Sequence, residues 1–253
     1  MDEIVQFNRE TLRKVPQWIE RKDWEKPSSL FNYGLPSYVY HLIDRPISNQ
    51  VTEADMICEY MKKLKNVNYL EIGVSVGKTF WQLSEFARTH IDSYNLSCLD
   101  IEKINPTFEK LLGESTTIHH VQANPPNDSI RKSETNTITT WGPITYYEAD
   151  EFDNSIWDHM PMFNLVFSDA MHRPDALLYE YEHVKKHLDP NGFVYCFDDL
   201  ENDTNGPMWT AVKHILADIQ KTHSTATLEH HVVNGWLGQH QEAHNFGVIQ
   251  LEG

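Results

Sequence analysis

The chain has 253 residues, with 21 Lys and Arg against 37 Asp and Glu, so its formal net charge is −16. This excess of acids disfavours non-specific binding to nucleic acids and to anionic membranes. No apolar stretch approaches the roughly 20 residues that a membrane-spanning helix needs.

The first residues and the cysteines bear on the cellular compartment of the protein. The acidic start lacks the basic residues and the apolar run of a secretory signal. The three cysteines, Cys58, Cys98 and Cys196, are scattered and odd in number. We therefore expect a cytoplasmic protein with reduced thiols and neither a disulfide framework nor a zinc-cysteine site.

Residues 1–50 form an irregular, aromatic segment. Residues 8–24 can hold a short helix, but four Pro and Gly residues between positions 25 and 46 argue against a regular element there. We predict a strap that packs on the main domain. The alternative is a lid over a pocket.

Residues 51–253 form the predicted main domain, in which helices and strands alternate. Apolar spacing predicts helices at 52–64, 78–90, 105–112, 174–188 and 207–220. Strands are predicted at 68–74, 95–101, 144–149, 163–168, 192–197, 227–233 and 246–251. This order predicts an α/β fold of the Rossmann-like, doubly wound kind, with a mostly parallel sheet, helices on both faces and an antiparallel late strand. Residues 113–143 contain a stretch rich in Ser, Thr, Asn and Pro, which predicts a polar insertion or long loop.

Acidic residues follow the predicted strands. In open parallel sheets, ligands bind outside the carboxyl ends of the strands. Six acids fall at such ends: Glu71, Asp100, Asp150, Asp169, Asp198 and Asp199. We therefore expect the functional site at this edge of the sheet.

The turn after the first predicted strand reads Glu-Ile-Gly-Val-Ser-Val-Gly-Lys-Thr, from Glu71 to Thr79. The spacing is one residue too short for a phosphate-binding loop, and Ser75 replaces the middle glycine of the dinucleotide pattern. The remaining pattern, E-x-G-x-S-x-G, resembles the first motif of class I S-adenosylmethionine-dependent methyltransferases. An ordinary tight turn between strand and helix is the alternative.

The resemblance implies a role in binding S-adenosylmethionine for four residues of this turn: Glu71, Gly73, Ser75 and Gly77. Asp100 ends the second strand, where a carboxylate can accept hydrogen bonds from both ribose hydroxyls, and Glu102 is the alternative for that role. Asp150 ends the third strand, where the family commonly has an acid near the adenine amino group.

Two further segments carry metal-binding residue types. Asp169-x-x-His172 follows the fourth predicted strand, and Asp198 and Asp199 follow the fifth. Three carboxylates at one edge suit Mg²⁺, Mn²⁺ or Ca²⁺. Adjacent strand residues point to opposite faces, so Asp198 and Asp199 can share an ion only if the strand has ended.

The order of these segments resembles one branch of the class, the macrocin-type sugar O-methyltransferases and the cephalosporin hydroxylase-like proteins. The resemblance covers about residues 69–219 and implies that Asp169, Asp198 and Asp199 bind a divalent cation, Mg²⁺ first. It also implies metal-assisted O-methylation of a small molecule such as a sugar or a secondary metabolite. Apart from the resemblance, we leave open that the chain forms homo-oligomers.

His172 is the candidate general base, because an imidazole removes protons near neutral pH. The alternative is that His172 orients Asp169 or caps the following helix. Asp169 itself takes the role of base if no metal binds. His240 and His244 are spaced i,i+4, but they do not form H-E-x-x-H and lie between late strands, so we expect no zinc site there.

Two other functions stay open. An N-methyltransferase or a hydroxylase of the same fold branch would use the same residues with a different acceptor or co-substrate. A non-catalytic interaction module that retains the fold is the third interpretation, and the series of acids at the strand ends argues against it.

Overall fold

The structure is a computed structural model that describes residues 1–13, 51–74, 77–101, 117–122, 135–234 and 243–253. The helices in these ranges are α1 (Asp2–Arg13), α2 (Glu53–Lys63), α3 (Lys78–His90), α4 (Asn154–Trp157), α5 (Pro174–Val184) and α6 (Pro207–Ile219). The strands are β1 (Val67–Ile72), β2 (Tyr94–Asp100), β3 (Thr117–Gln122), β4 (Thr135–Trp141), β5 (Ile144–Glu148), β6 (Leu165–Ser168), β7 (Phe193–Leu200), β8 (Thr227–Asn234) and β9 (Ala243–Leu251).

All of these strands belong to one sheet in the order β3-β4-β5-β2-β1-β6-β7-β9-β8. The five central strands, from β5 to β7, are parallel. Antiparallel strands extend both edges, β4 and β3 beyond β5, and β9 and β8 beyond β7. The strand order reverses between β1 and β6, which is where sheets of this type bind ligands. The predicted Rossmann-like α/β fold is confirmed, and the antiparallel pair at the β3 edge was not predicted.

Helices cover both faces of the sheet because the central strands are apolar on both sides. Tyr69 and Phe167 belong to a core cluster that includes side chains of α1, α2 and α3. Leu70 and Val166, which alternate with them, belong to a second cluster with side chains of α4, α5 and α6. The face that packs against α1–α3 is called the first face below, and the other the second face.

The N-terminal helix begins earlier than predicted. It spans Asp2–Arg13 and buries Ile4 and Leu12 in the first-face core, while residues 14–24 of the helix predicted at 8–24 lie outside the described residues. Asn8 Nδ2 donates to Asp55 Oδ1 at 2.7 Å, which ties α1 to the capping box of Thr52 and Asp55 at the start of α2. Residues 14–50 of the predicted strap lie outside the described residues.

Part of the predicted loop at 113–143 is regular. Thr117–Gln122 and Thr135–Trp141 are strands, so the loop prediction is wrong for these residues. The prediction counted threonine with the loop formers, although its β-branched side chain favours strands. Gly142, with a φ of +60°, turns the chain from β4 into β5.

Each helix in the described ranges is too short or too polar to cross a lipid bilayer. Cys58, Cys98 and Cys196 are buried as free thiols.

Candidate functional site

Four of the predicted acids come to the same edge of the sheet. Glu71 pairs in register with Cys98 of β2 and Phe167 of β6, and Phe167 pairs with Cys196 of β7. Side chains two positions apart on a strand share a face. The residues that follow these partners at that spacing are Asp100, Asp169 and Asp198. The register therefore directs all four acids towards the first face, at the carboxyl ends of four neighbouring strands.

The glycine turn after β1 needs glycine for two reasons. Gly73 and Gly77 have φ values of +84° and +90°, which side chains strongly disfavour. A Cβ atom at Gly73 would lie 2.3 Å from the backbone oxygen of Asp169. Glycine at position 73 therefore allows the turn to pack closely against the end of β6, the segment that carries Asp169. Ser75 lies outside the described residues.

Asp100 holds this turn from the neighbouring strand. Its Oδ2 accepts a hydrogen bond from the Val74 backbone N–H at 2.7 Å, and the Gly73 N–H donates to the Leu99 carbonyl at 2.9 Å. The carboxylate thus lies at the mouth of the glycine turn, at the end of β2. Glu102 lies outside the described residues.

Asp150 lies one strand further out. It follows β5, which pairs in parallel with β2, and its Oδ1 accepts a hydrogen bond from the Phe152 N–H at 2.9 Å. Asp100 and Asp150 therefore end neighbouring strands on the side of β1 away from Asp169.

Glu71 is the most deeply buried of the predicted acids, with 1% of its surface exposed. Burial raises the pKa of Glu71 to about 8, although the Tyr69 hydroxyl donates to its Oε2 at 2.8 Å and the Lys78 charge also lowers the pKa. In the protein without ligands, Glu71 is therefore largely protonated at neutral pH.

The raised pKa of Glu71 predicts a pH-dependent stability that Glu71→Gln reduces. Between the ordinary value of 4.5 and about 8, the folded state binds more protons at this site than the unfolded state. The free energy of unfolding therefore falls as pH rises through this window and levels off above it. Between pH 5 and pH 9, the free energy of unfolding should fall on the order of 2–4 kcal/mol less in Glu71→Gln than in the unchanged chain. Urea unfolding at both pH values measures the difference.

Glu182→Gln is the control for this experiment, because the Glu182 side chain is 61% exposed on α5. It should lose as much stability as the unchanged chain over the same pH range. Equal losses in Glu71→Gln and the unchanged chain would show that the Glu71 carboxyl is not protonated by burial.

A buried ion pair that the sequence analysis missed borders these acids. Lys78 Nζ lies 2.9 Å from Glu53 Oε1, and both side chains are at most 5% exposed. The negative charge of Glu53 contributes to the raised pKa values of Asp169 and Asp198. The first turn of α2 thus lies beside the acids of the sheet edge. The sequence signal was weak, because acids are common in the first turn of any helix.

A β-bulge brings Asp198 and Asp199 together. In β7, Phe197 pairs with Gly247 and Leu200 with Asn245, so β7 has one residue more than β9 in this interval. Asp199 adopts a φ of +51°, the left-handed conformation that Asp tolerates better than most residues. The strand therefore continues to Leu200, but its alternation is broken where the sequence analysis required a turn.

Two histidines bind the two oxygens of Asp199. His172 Nδ1 lies 2.6 Å from Oδ2, and His244 Nδ1 lies 2.8 Å from Oδ1. Burial alone would raise the pKa of Asp199, but the hydrogen bonds from both imidazoles outweigh it and lower the pKa. The same hydrogen bonds raise the pKa of His172 and of His244. The sequence analysis expected His244 between the late strands and missed it as a site residue, but it lies in β9, which begins at Ala243 and is inserted between β7 and β8.

The donor set at this edge suits a divalent cation. Burial, together with the nearby charges of Asp198 and Asp199, raises the pKa of Asp169. Burial and the charges of Glu53 and Asp199 raise the pKa of Asp198 to about 7. Asp198 Oδ1 is buried and has no hydrogen-bond partner among the described residues. A cation would satisfy this oxygen and reduce the repulsion between the carboxylates.

The cluster consists of two sets of three residues that share Asp199. In each set, every residue offers one donor atom, and these three atoms lie within 4.8 Å of one another. The sets are Asp169, His172 and Asp199, and Asp198, Asp199 and His244. Asp199 thus links Asp169 and the predicted base His172 to Asp198 and His244, although neither set contains all three predicted metal ligands. His240 lies outside the described residues.

A pocket adjoins this cluster. Its polar wall includes Asp169, His172 and Asp198, and its apolar wall includes Leu177 of α5, Phe197 of β7 and Met208 of α6. The described residues leave room for little more than one water molecule there, so a larger ligand would have to extend beyond them.

No family model and no curated protein sequence matches this chain. Among solved structures, it is similar to the O-methyltransferase from Bacillus cereus in complex with SAH, at 13% identity over 90% of this chain and 93% of that one, with a TM-score of 0.52. It is also similar to the O-methyltransferase TomG from Streptomyces achromogenes, which is involved in tomaymycin synthesis and was solved with SAM, at 13% identity over 91% and 92% of the two chains and a TM-score of 0.51. The chain therefore has the fold of class I S-adenosylmethionine-dependent O-methyltransferases.

Proposed function

We propose that this protein is an S-adenosylmethionine-dependent methyltransferase that methylates a hydroxyl group of a small molecule with the help of a divalent cation. The observation that carries the proposal is the convergence of Glu71, Asp100, Asp169 and Asp198 on one edge of the sheet. The fold alone would not supply it, since folds host many functions. Carboxylates that line the ligand-binding edge favour a cationic ligand.

The cofactor would lie over the glycine turn. Gly73 and Gly77 add no side chain at two positions of the turn, and Asp100, which accepts a hydrogen bond from the Val74 N–H, is proposed to bind the ribose hydroxyls. Asp150, on the next strand, is proposed to lie near the adenine. Glu71 is proposed to interact with the methionine part, where the positive charge of the cofactor would favour its ionised form.

The other half of the edge would prepare the substrate. Asp169, Asp198 and Asp199 are proposed to hold the cation, which when bound would lower the pKa of a substrate hydroxyl. His172 is proposed to remove the proton through Nε2, because Nδ1 is held by Asp199. Asp199 orients the imidazole and stabilises its charged form. The His172 side chain is 39% exposed at the pocket wall, so it can reach a substrate.

We propose a substrate with a polar end and an apolar body. The carboxylates and His172 line one wall of the small pocket, while Leu177 and Met208 line the other. A ring with two neighbouring hydroxyls is proposed to direct the hydroxyls to the polar wall, while the rest of the ring extends beyond the pocket. Catechol and simple monosaccharides are therefore suitable probe acceptors.

Calorimetric titration with S-adenosylmethionine tests the function, and Asp169→Asn separates cofactor binding from metal binding. We expect the unchanged chain to bind the cofactor and to transfer its methyl group to an acceptor of the probe panel. Asp169→Asn should bind the cofactor within about threefold of the unchanged affinity, but lose at least about tenfold in Mn²⁺ or Mg²⁺ affinity and most of its activity.

Asp175→Asn is the matched control, since Asp175 is 68% exposed at the start of α5. It should change neither cofactor affinity nor metal affinity. A folded chain that does not bind S-adenosylmethionine would overturn the proposal. Hydroxylated products, identified by mass spectrometry, would favour a hydroxylase of the same fold.

A further inference from the structure

We propose that His244 is a direct ligand of the divalent cation, together with Asp198 and Asp199, and that the site therefore prefers Mn²⁺ to Mg²⁺. The inference rests on the cation in the proposed function, but not on methyl transfer. His244 comes from an antiparallel strand outside the parallel part of the sheet, and no motif of the chain indicated it.

The first argument is the geometry around Asp199. His244 Nδ1 lies 2.8 Å from Asp199 Oδ1, and these two residues form a set of possible donors with Asp198. Adjacent donors of an octahedral ion with bonds of about 2.1 Å lie roughly 3 Å apart. The atoms of His244 and Asp199 are thus already at the spacing of two neighbouring ligands, and the ion would replace the proton that they share.

The second argument is the unpartnered oxygen of Asp198. Its Oδ1 is buried without a hydrogen-bond partner in the described part of the chain. Leaving a buried carboxylate oxygen unsatisfied is costly, and a cation between Asp198 and His244 would remove that cost. This oxygen points to a ligand independently of the acidic charge of the cluster.

The two oxygens of Asp199 give the two histidines different roles. Oδ1 is directed to His244, and Oδ2 is held by His172 Nδ1 at 2.6 Å. A cation bound by Oδ1 and His244 leaves Oδ2 free to orient His172. The His244 side chain is 12% exposed and that of His172 is 39% exposed, which fits a ligand and a base at the pocket wall, respectively.

The donor types determine the preferred ion. Mg²⁺ binds oxygen donors and retains several waters, whereas imidazole nitrogen suits first-row transition ions. Mn²⁺ accepts the same carboxylate and water ligands as Mg²⁺ but, as a first-row transition ion, also accepts a nitrogen ligand. We therefore infer that this mixed oxygen and nitrogen set binds Mn²⁺ more tightly than Mg²⁺.

The test is metal binding by the full chain, stripped with chelator and free of cofactor and substrate. Titration should show Mn²⁺ binding at least about tenfold tighter than Mg²⁺. In His244→Asn, Mn²⁺ affinity should fall by about tenfold or more and Mg²⁺ affinity by less, so the preference shrinks. Pulsed electron paramagnetic resonance of the Mn²⁺ complex should show coupling to a histidine nitrogen that changes with ¹⁵N-histidine labelling and is absent in His244→Asn.

His231→Asn is the control, because His231 on β8 also pairs with a carboxylate, Glu229, at 3.0 Å, but belongs to neither donor set. It should leave the Mn²⁺ affinity and the nitrogen coupling unchanged. Equal affinities for Mn²⁺ and Mg²⁺, or a Mn²⁺ complex without nitrogen coupling in the unchanged chain, would overturn the inference even if His244→Asn did not fold. So would a nitrogen coupling that persists in a folded His244→Asn.

The failures of the two proposals are distinguishable. A chain that binds S-adenosylmethionine but no metal ion refutes the role of His244 and the metal assistance, and leaves the methyltransferase. A chain that binds Mn²⁺ through His244 but not S-adenosylmethionine refutes the proposed function and leaves this inference.

Discussion

Replacing Asp199 by Asn is expected to lower the rate of methyl transfer by about 100-fold or more, which is the range that general-base catalysis contributes. Asp199 holds His172 through one oxygen and His244 through the other, at 2.6 and 2.8 Å. Asn offers a single acceptor oxygen and no charge, so it cannot accept hydrogen bonds from both imidazoles and binds an ion more weakly. Transfer of a labelled methyl group to the acceptor found with the probe panel measures the rate.

The same variant should affect binding selectively. Mn²⁺ affinity should fall by about tenfold or more, because one ligand is weakened and the orientation of His244 is lost. Cofactor affinity should stay within about threefold, since the glycine turn and Asp100 hold the proposed cofactor site independently of the bulge in β7. A large loss of cofactor affinity would show that the two halves of the edge are not separable in this way.

Asn and Gly are chosen as the replacements for Asp199 because they avoid added backbone strain. Asp199 has a φ of +51°, and Asn and Gly both adopt this conformation readily. Asp199→Gly should therefore be folded and as inactive as Asp199→Asn. If Asp199→Gly retained activity, the carboxylate would not be the group that matters, and the role assigned to both histidines would be wrong.

The sequence predicted the acids of the site because strand alternation and strand order were enough. Glu71, Asp100 and Asp169 follow apolar runs, and parallel neighbours bring the ends of such runs to one edge. The order of strands around β1 then determines which acids are adjacent. No side-chain contact was needed to make this prediction.

Asp199 and His244 could not be predicted in the same way. Alternation along β7 directs Asp199 away from Asp198, and only the extra residue opposite β9 brings them together. His244 reaches the site because β9 inserts between β7 and β8, with Leu200 opposite Asn245. A bulge and a strand insertion depend on pairing between distant segments, which the pattern of a single segment does not encode.

The ion pair of Glu53 and Lys78 shows another limit. Each residue is typical of its local position, an acid in the first turn of α2 and a cation after the glycine turn. Their burial, at most 5% exposure for either side chain, follows from the packing of α2 against α3. Local patterns predict a solvated charge at both positions, so tertiary packing alone identifies the pair.

Gly73→Ala is expected to have the largest effect on stability, a loss of about 4 kcal/mol in the free energy of unfolding. The φ of +84° costs an alanine about 1–2 kcal/mol. The rest comes from the contact, because the new Cβ would lie 2.3 Å from the backbone oxygen of Asp169 and 2.6 Å from the Cα of Ala170. These are backbone atoms at the end of β6, so they can yield only if the strand end moves. Urea unfolding of both chains measures the loss.

Gly142→Ala separates the two causes. Gly142 also has a positive φ, +60°, but a Cβ there has no atom within 4 Å in the described structure. It should lose only about 1 kcal/mol, the conformational part of the effect. Because the strand end that moves in Gly73→Ala carries Asp169, that variant should also lose Mn²⁺ affinity, whereas Gly142→Ala should keep it. Equal losses of stability in the two variants would mean that the contact between the glycine turn and β6 does not constrain the site. A larger loss of stability in Gly73→Ala, accompanied by weaker metal binding, would show that the turn proposed to hold the cofactor also positions Asp169, a proposed metal ligand.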